Sequence, residues 1–354
     1  MADDGQTLME VMLSDMDSAP VEFRPTNFWE GGVAVLVDEL REHGFEKFRT
    51  LNSSLGYFVP NYGDKFYRRW KKQIDGFLNR LSDRKRKSYS KAVTGLERGR
   101  TDYRLFSATT TGSALGLQDV SESDVGGGER FEFGSNSYSK SMLSYLRAMT
   151  LMERNVDTNG IKSWLEIGGG YGSLGEIVLK GRSDAFYVNV DIPPVAAVST
   201  WYLQQVFGAE NVLDYAQSRT METLDLEELR KTYRAVILCP WQLPKVTGTV
   251  DVFANFISFQ EMEPSVVANY VRLVQPLTEK HVLMRNSRYG KALATKAGEA
   301  GTFEKVTTDG VIDGFDAFEM TARDSLVHGD ETPDRSFRSE VSLLTRKTPL
   351  KKSD

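Results

Sequence analysis

The amino-acid sequence predicts an α/β fold in which a doubly wound, mostly parallel sheet follows a helical N-terminal region. Short apolar runs alternate with helical patterns from about residue 160 onward, which is typical of parallel sheets. The first of these runs ends in a cluster of glycines, as strands do when the chain turns tightly into a helix.

The individual elements follow from apolar spacing and from turn residues. We expect strands at 164–167, 186–190, 235–238, 250–257 and 281–284, with two further strand-like runs at 303–306 and 341–345. We expect helices at 28–43, 64–82, 139–155, 173–180, 193–208 and 262–275.

The change of pattern near residue 150 divides the chain into two predicted regions. Residues 1–150 are expected to form a helical region that shapes the substrate pocket as a cap or forms a dimer interface. Within it, 107–137 contains six glycines among Ser, Thr and Asp. Such a segment is typical of a flexible loop that closes over bound ligands. Residues 151–354 are expected to form the cofactor-binding domain.

Composition limits the class of protein. Of 354 residues, 40% are hydrophobic and 26% are charged, which are ordinary values for a folded globular chain. The single cysteine, Cys239, excludes an internal disulfide and a cysteine-based zinc site. The acidic N-terminus lacks the features of a signal peptide, and no apolar run reaches the ~18 residues of a membrane span. A cytoplasmic location is therefore expected.

The charge of the chain is unevenly distributed. Between Lys65 and Arg104 there are 14 basic and 4 acidic residues, a local charge of +10 within a chain of net charge −5. A basic stretch can attract phosphates. Since the remainder carries −15, a dedicated nucleic-acid binder is not expected, and a solvated helix face explains the stretch.

The glycine cluster admits two interpretations. Gly168, Gly170 and Gly172 form G-x-G-x-G directly after a predicted strand, an arrangement that favours close approach of a cofactor to the backbone. Gly170, Gly172 and Gly175 also fit G-x-G-x-x-G, the dinucleotide fingerprint. Spacing alone does not separate them.

Two carboxylates help to decide between these frames. Glu166 interrupts an apolar strand just before the glycines, where it would repel a pyrophosphate and suit the positively charged S-adenosylmethionine. Asp191 ends the second strand, where a carboxylate can accept hydrogen bonds from both ribose hydroxyls. Asp191 is also suited to cap the following helix.

With these residues in view, the chain resembles the bacterial sugar O-methyltransferases, a family of class I methyltransferases. The resemblance rests on Trp164–Gly175, Asp191–Gly208 and Asp251–Met262, with weaker likeness at Arg24–Trp29 and Tyr57–Tyr62. It implies transfer of a methyl group from S-adenosylmethionine to a sugar hydroxyl in polysaccharide or glycoconjugate synthesis. One specific enzyme that the resemblance implies is a methyltransferase of the mycobacterial methylated mannose polysaccharides. Class I sheets end in two strands of which one is inserted antiparallel, and the C-terminal runs are compatible with that.

The cofactor site is expected along the carboxyl ends of the strands. The resemblance implies that Glu166, the glycine turn and Asp191 hold the cofactor. Trp241 and Gln242 follow the third strand, where adenine is expected, and Asn255 and Ser258 lie at the end of the fourth. The full expected set is Glu166, Gly168, Gly169, Gly170, Tyr171, Gly172, Asp191, Ile192, Trp241, Gln242, Asn255 and Ser258.

A sugar hydroxyl is a poor acid, so its methylation calls for a general base or a metal. Glu261, after the fourth strand, is the first candidate base, with stabilisation of a helix start as its alternative role. His281 has suitable chemistry but begins the fifth strand, at the opposite edge of the sheet. Magnesium, held by Glu261 with Glu263 or Asp191, is permitted but not required by the sequence.

Three other functions remain open at this point. The first is a methyltransferase whose acceptor is a phenolic or polyketide molecule instead of a saccharide. A nicotinamide-dependent oxidoreductase would use the alternative glycine frame. A partner subunit with this fold would bind cofactor poorly.

Overall fold

The computed structural model describes residues 2–63, 95–299, 301–331 and 338–350, with the single positions 76, 80 and 82. The helix predicted at 64–82 and most of the basic stretch lie outside these residues. The α-helices are α1 (Ala2–Met16), α2 (Asn27–His43), α3 (Asn52–Tyr57), α4 (Leu96–Thr109), α5 (Lys140–Asn155), α6 (Ser173–Gly181), α7 (Val195–Phe207), α8 (Tyr215–Ser218), α9 (Leu226–Leu229), α10 (Pro264–Val274) and α11 (Thr308–Asp313).

The strands follow the predicted alternation. They are β1 (Phe131–Phe133), β2 (Asn136–Tyr138), β3 (Ser163–Ile167), β4 (Phe186–Val190), β5 (Val212–Leu213), β6 (Leu224–Asp225), β7 (Ala235–Leu238), β8 (Val246–Thr247), β9 (Val250–Phe256), β10 (Thr278–Ser287), β11 (Phe318–Asp324), β12 (Asp330–Glu331) and β13 (Arg338–Arg346).

The strand predicted at 303–306 is wrong. Phe303 is half exposed, and the backbone N–H groups of Phe303 and Glu304 donate to the Glu263 carboxylate instead of to a neighbouring strand. The strand that belongs to the sheet here is β11, which begins at Phe318. Its side chains are mostly exposed, so the apolar alternation that would have identified it is absent.

The main sheet has the order β11-β13-β10-β9-β3-β4-β7-β5, and β12 also pairs with β13. The pairings from β10 through β5 are parallel, whereas β13 runs antiparallel to both β10 and β11. The chain winds from β3 to β4 on one side and later returns to place β9 on the other side of β3. This is the expected class I methyltransferase arrangement, with one strand inserted antiparallel near the end, so the predicted fold class is confirmed.

Both faces of the parallel strands are covered. Every residue of β3 and β4 is buried, which explains why these strands are mostly apolar, with Glu166 and Asn189 as buried polar exceptions. Trp164 packs into the core on one face of the sheet and Leu165 into the core on the other. The first core contains α5, α6 and α7, and the second contains α10 and α11.

The N-terminal region joins the first core directly. Met9 of α1, Leu36 of α2 and Phe48 belong to the same buried cluster as Trp164 and Trp201. Helix α5 runs across residue 150 without interruption, with most of its side chains buried. The two predicted regions therefore share one hydrophobic core along this face.

The glycine-rich segment 107–137, predicted as a lid, is anchored to the protein at several points. It contains the end of α4 and most of the β1–β2 hairpin, and Leu115, Leu117 and Val120 are buried in the first core. Its glycines allow the tight turns between these short pieces. Within the described residues, no helix combines the length and apolar character that crossing a membrane requires.

Candidate active site

A cavity opens where the chain reverses its direction of winding, above the carboxyl ends of β3, β4 and β9. Ligands of open α/β sheets bind at this position. Its empty volume, including the open mouth, is about 1240 Å³. Two groups of residues line it, one from the strand ends and one from the N-terminal region. The first group includes Gly168–Tyr171, Asp191, Ile192, Val195, Pro240, Ile257, Ser258 and Glu261. The second includes Arg24–Thr26, Trp29, Leu55–Phe58, Pro60, Ser141, Ser144 and Tyr145.

The glycine turn needs glycine for two separate reasons. Gly168, Gly170 and Gly172 have φ values of 72°, 59° and 93°, which side-chain-bearing residues rarely adopt. A Cβ atom at Gly168 would also lie 2.3 Å from the Cβ of Ser258. At Gly170 no atom comes nearer than 3.7 Å, so this glycine leaves its backbone open to the cavity.

Most backbone N–H groups of the turn are already used within the protein. Gly168 donates to the Val190 carbonyl at 2.8 Å. Gly169 donates to Asn189 at 3.1 Å, and Gly170 donates to Asp191 at 2.8 Å. A dinucleotide site needs such groups to cradle a pyrophosphate. The hydrogen bonds of this turn therefore disfavour the alternative G-x-G-x-x-G interpretation.

Asp191 faces the cavity at the end of β4. Its Oδ1 accepts a hydrogen bond from the Ile192 N–H and its Oδ2 accepts one from the Gly170 N–H, both at 2.8 Å. Burial raises the pKa of Asp191 to about 7, although the two backbone N–H groups oppose this by stabilising the ionised form. Each oxygen keeps acceptor capacity for a ligand hydroxyl.

Glu166 lies beneath the glycine turn and is not among the residues that line the cavity. Its Oε1 accepts a hydrogen bond from the Tyr145 hydroxyl at 2.8 Å, and its Oε2 accepts one from the Tyr187 hydroxyl at 2.6 Å. Burial raises its pKa to about 8, against the effect of both tyrosines. Glu166 therefore supports the turn from below, whereas the sequence suggested direct contact with the cofactor.

Asn255 and Ser258 hold the turn against the end of β9. The Asn255 amide and the Ser258 hydroxyl both donate to the Ile167 carbonyl, at 3.0 and 2.9 Å. Between them, Ile257 has a φ of 76°, a strained conformation for a β-branched residue. Ser258 and Ile257 line the cavity, and Asn255 lies just behind them.

Glu261 is the second carboxylate that faces the cavity. Its Oε1 lies 3.0 Å from the Lys291 ammonium, and its Oε2 accepts a hydrogen bond from the Trp29 indole at 3.3 Å. Burial raises the pKa of Glu261, and Lys291 opposes that shift. The carboxylate is therefore a stronger base than an exposed one, and it stands on the same cavity as Asp191.

Three predicted site residues lie away from the cavity. Trp241 donates to the Tyr215 hydroxyl at 3.0 Å and packs between the two cores, while its neighbour Pro240 lines the cavity. Gln242 accepts a hydrogen bond from the Cys239 N–H and is buried. His281 contacts Thr345 at the opposite edge of the sheet, where burial lowers its pKa. This location removes the geometric basis for a catalytic His281.

The cavity is also lined by residues that were not predicted from their position at the end of a strand. Trp29, Tyr57 and Phe58 enter the cavity from the N-terminal region, and Arg285 enters from β10. The sequence signals for the first three were the weaker likeness at Arg24–Trp29 and Tyr57–Tyr62 and the aromatic character of Tyr57 and Phe58, which suits either stacking on a sugar or a place in the core. Their place at the cavity depends on contacts between distant parts of the chain.

A buried ion pair ties the N-terminal region to the glycine turn. Arg49 and Glu122 lie 2.6 Å apart with fully buried side chains. The same Glu122 oxygen accepts a hydrogen bond from the Tyr171 hydroxyl at 3.1 Å, and the Arg49 guanidinium lies 5.0 Å from the centre of the Tyr171 ring. Glu122 also accepts hydrogen bonds from the backbone N–H and the hydroxyl of Ser139, which caps α5. One carboxylate thus joins the turn, α5 and the Arg49 segment.

No group of three or more His, Cys, Asp or Glu side chains suited to a metal ion occurs in the part of the chain that the structure describes. Glu261 pairs with Lys291, and Glu263 accepts backbone hydrogen bonds from Phe303 and Glu304. The carboxylates that the sequence offered as magnesium ligands are thus engaged by other partners.

Comparison with known proteins leaves the family open. No family model matches the chain, and no curated protein matches it. Among solved structures, mitomycin 7-O-methyltransferase MmcR is 14% identical with a TM-score of 0.37, covering 58% of this chain and 54% of its own. The pyocyanin biosynthetic protein PhzM is 15% identical with a TM-score of 0.36, covering 58% of this chain and 56% of its own.

A third match is longer. Magnesium protoporphyrin IX methyltransferase (ChlM) from Synechocystis PCC 6803, with bound SAM, is 11% identical with a TM-score of 0.37 and covers 75% of this chain and 98% of its own. By contrast, the chain spans little more than half the length of MmcR and PhzM. At these identities and TM-scores the likenesses assign neither a substrate nor an activity.

Proposed function

We propose that the chain is an S-adenosylmethionine-dependent O-methyltransferase. The observation that carries the proposal is the glycine turn, whose N–H groups are used by Val190, Asn189 and Asp191 while its open face borders a cavity with two carboxylates. Carboxylates favour a cationic cofactor and repel a pyrophosphate.

The lining residues fit this cofactor. Asp191 would accept hydrogen bonds from the ribose hydroxyls. Ile192 and Pro240, which also line the cavity, would contact the adenine ring. Gly168 and Gly170 would allow the methionine portion to approach the backbone. When bound, S-adenosylmethionine supplies an activated methyl group.

The acceptor is deprotonated by Glu261 in this proposal. Its raised pKa makes it a better proton acceptor, and Lys291 stabilises it in the ionised form before reaction. Trp29 orients the carboxylate through its indole N–H. The acceptor hydroxyl would donate its proton to Glu261 as its oxygen receives the methyl group.

We assign a sugar hydroxyl as the acceptor on the basis of the resemblance at 164–175, 191–208 and 251–262. A phenolic or polyketide acceptor is the second candidate, favoured by the apolar residues around Glu261, which include Met262 and Val266. In either case residues 1–150 would form the acceptor side of the cavity. The two candidates differ in their need for a base, because a phenol is far more acidic than a sugar hydroxyl.

Calorimetric titration with S-adenosylhomocysteine, and separately with NAD and NADP, tests the cofactor. We expect micromolar binding of the first and none of the other two, with weaker binding by Glu166→Ala and Asp191→Ala. Binding of NAD or NADP instead would overturn the proposal in favour of an oxidoreductase.

The role of Glu261 is tested by Glu261→Gln. This variant should keep S-adenosylhomocysteine affinity and lose turnover by about 100- to 10,000-fold with a sugar acceptor. A much smaller loss with the true acceptor would point to the phenolic alternative.

A further inference from the structure

Two aromatic rings form a continuous wall on the N-terminal side of the cavity. The rings of Trp29 and Tyr57 lie 5.0 Å apart at an angle of 34°, and both residues line the cavity. The edge of Phe28 supports Tyr57 from a distance of 5.9 Å. Such a surface offers large apolar contact at low conformational cost, since each ring has only two side-chain torsions.

The position of Tyr57 is set by a glycine. A Cβ atom at Gly32, on α2, would lie 2.6 Å from the Tyr57 ring. The neighbouring Gly31 differs, because its nearest contact would be the Gly298 carbonyl at an ordinary 3.5 Å. The Tyr57 ring therefore rests directly on the backbone of α2 at Gly32 and not at Gly31.

A pair of opposite charges lies beside this wall: Glu261 lines the cavity, and its partner Lys291 has a partly exposed side chain outside the cavity lining. Glu261 and Lys291 lie 3.0 Å apart, and the Lys291 ammonium also lies 4.6 Å from the centre of the Phe28 ring. A carboxylate only accepts hydrogen bonds and an ammonium only donates them. Together they can satisfy two neighbouring hydroxyl groups, one that donates to Glu261 and one that accepts from Lys291.

We propose that this surface is the acceptor subsite and that it takes a saturated ring with two neighbouring hydroxyl groups. The ring lies on Trp29 and Tyr57, and its two hydroxyls bind Glu261 and Lys291. This inference rests on the proposed methyltransferase function. The hydroxyl that donates to Glu261 receives the methyl group, and Glu261 takes its proton.

The arrangement has a consequence for the product. A methylated oxygen has no hydrogen to donate to Glu261, so the product loses half of the recognition. A second methylation requires the ring to turn over, so that the ether oxygen accepts from Lys291 and the remaining hydroxyl donates to Glu261; we therefore expect the singly methylated product to accumulate first.

The test uses the full chain with methyl pyranosides of the common hexoses, their deoxy analogues, phenol and catechol, and measures formation of S-adenosylhomocysteine. We expect turnover of at least one pyranoside, its loss when either neighbouring hydroxyl is replaced by hydrogen, and a singly methylated product by mass spectrometry. Turnover of phenol or catechol but of no pyranoside would overturn the inference.

Substitutions test the residues themselves. Lys291→Met should raise KM for the accepted pyranoside about 10- to 100-fold, as expected for a hydrogen bond to a charged group. Gly32→Ala, which pushes Tyr57 into the cavity, should raise KM, whereas the matched Gly31→Ala should not. If Lys291→Met and Gly32→Ala both leave KM unchanged, the subsite is elsewhere.

Calorimetry with S-adenosylhomocysteine separates failure of the acceptor subsite from failure of the proposed function. All three variants should bind it as the unmodified protein does, which also shows that they are folded. If the unmodified protein fails to bind it, the proposed function fails. If binding is intact and KM is insensitive to these substitutions, only the acceptor subsite is refuted.

Discussion

The two walls of the cavity are built from different parts of the chain and in different ways. The cofactor wall comes mainly from one stretch, 167–192, and includes the glycine turn, with Asp191 held by the N–H groups of Gly170 and Ile192. The acceptor wall brings together the side chains of Trp29 and Tyr57 with Glu261, more than 200 residues away along the chain.

This contrast separates two kinds of recognition. A turn whose shape is fixed by glycines and by hydrogen bonds within the protein keeps the same surface whatever the neighbouring side chains are, so it suits an unchanging cofactor. A wall of side chains from separate segments changes shape with single substitutions, so it suits the selection of one acceptor. Glu122 connects the two, because it belongs to the N-terminal region and contacts Tyr171 of the turn.

The largest expected effect concerns that connection. Glu122→Ala leaves Arg49 buried without its carboxylate, so the free energy of unfolding should fall by about 3–5 kcal/mol. Loss of the Tyr171 hydrogen bond should also weaken binding of S-adenosylhomocysteine. Urea unfolding and calorimetry measure the two effects.

Asp251→Ala is the matched control for Glu122→Ala. Asp251 is also a buried carboxylate, and it accepts hydrogen bonds from the N–H groups of Lys162 and Ser163 at the far ends of the strands. The Asp251→Ala variant should have a lower free energy of unfolding, and its folded form should bind S-adenosylhomocysteine with unchanged affinity. If Glu122→Ala behaved in the same way, the two walls would be independent of each other.

The second effect compares two positions of the glycine turn. Both Gly168→Ala and Gly170→Ala impose a left-handed conformation on alanine, which costs about 1–2 kcal/mol. Gly168→Ala also forces its Cβ against Ser258, so it should lose more stability than Gly170→Ala. Thermal unfolding of the two variants measures the difference, and equal losses would show that the Ser258 contact relaxes freely.

The third effect concerns Asp191→Asn. The substituted side chain has no negative charge, and its amide NH2 group must face the N–H of either Gly170 or Ile192, so that two donors oppose each other. Affinity for S-adenosylhomocysteine should therefore fall about 10- to 100-fold. Calorimetry measures it, with acceptor-side Gly31→Ala as a variant that keeps full affinity. An unchanged affinity would move the ribose site away from Asp191.

The last effect is the dependence on pH. In the ligand-free protein the pKa of Asp191 is about 7, above its unfolded value of about 3.9. The folded form therefore holds the proton more tightly, and this contribution to stability is lost as pH rises from about 4 through 7. Thermal unfolding across this range should show the decline, and Asp191→Asn should reduce it.

Binding should show the opposite dependence. Ribose hydroxyls donate to the ionised carboxylate, so affinity for S-adenosylhomocysteine should fall by up to about tenfold per pH unit below 7. Calorimetry in buffers of different ionisation enthalpy should detect proton release at pH 6. An affinity independent of pH between 5 and 8 would contradict a role for Asp191 as an ionised acceptor.

The parallel strands and the glycine turn were predictable because their signals are local. β3, β4 and β7 are buried on both faces and read as apolar runs, and the glycines mark where the chain must reverse. β11 was missed because its side chains are mostly exposed, so its place in the sheet depends on backbone pairing with β13. The buried residues of segment 107–137 are few and scattered among glycines, so no apolar pattern predicted that they pack into the first core.

Within the site, the sequence by itself determined which residues stand at the carboxyl ends of the strands, since the alternation of strands and helices makes the strands parallel. Asp191, Ser258 and Glu261 line the cavity for that reason. Only the tertiary structure decided which way neighbouring side chains point, and it turned Glu166 beneath the turn and Trp241 toward Tyr215, outside the cavity lining. It also decided what faces the strand ends, because packing of distant segments into one core brings Trp29 to Glu261 and Arg49 to Tyr171.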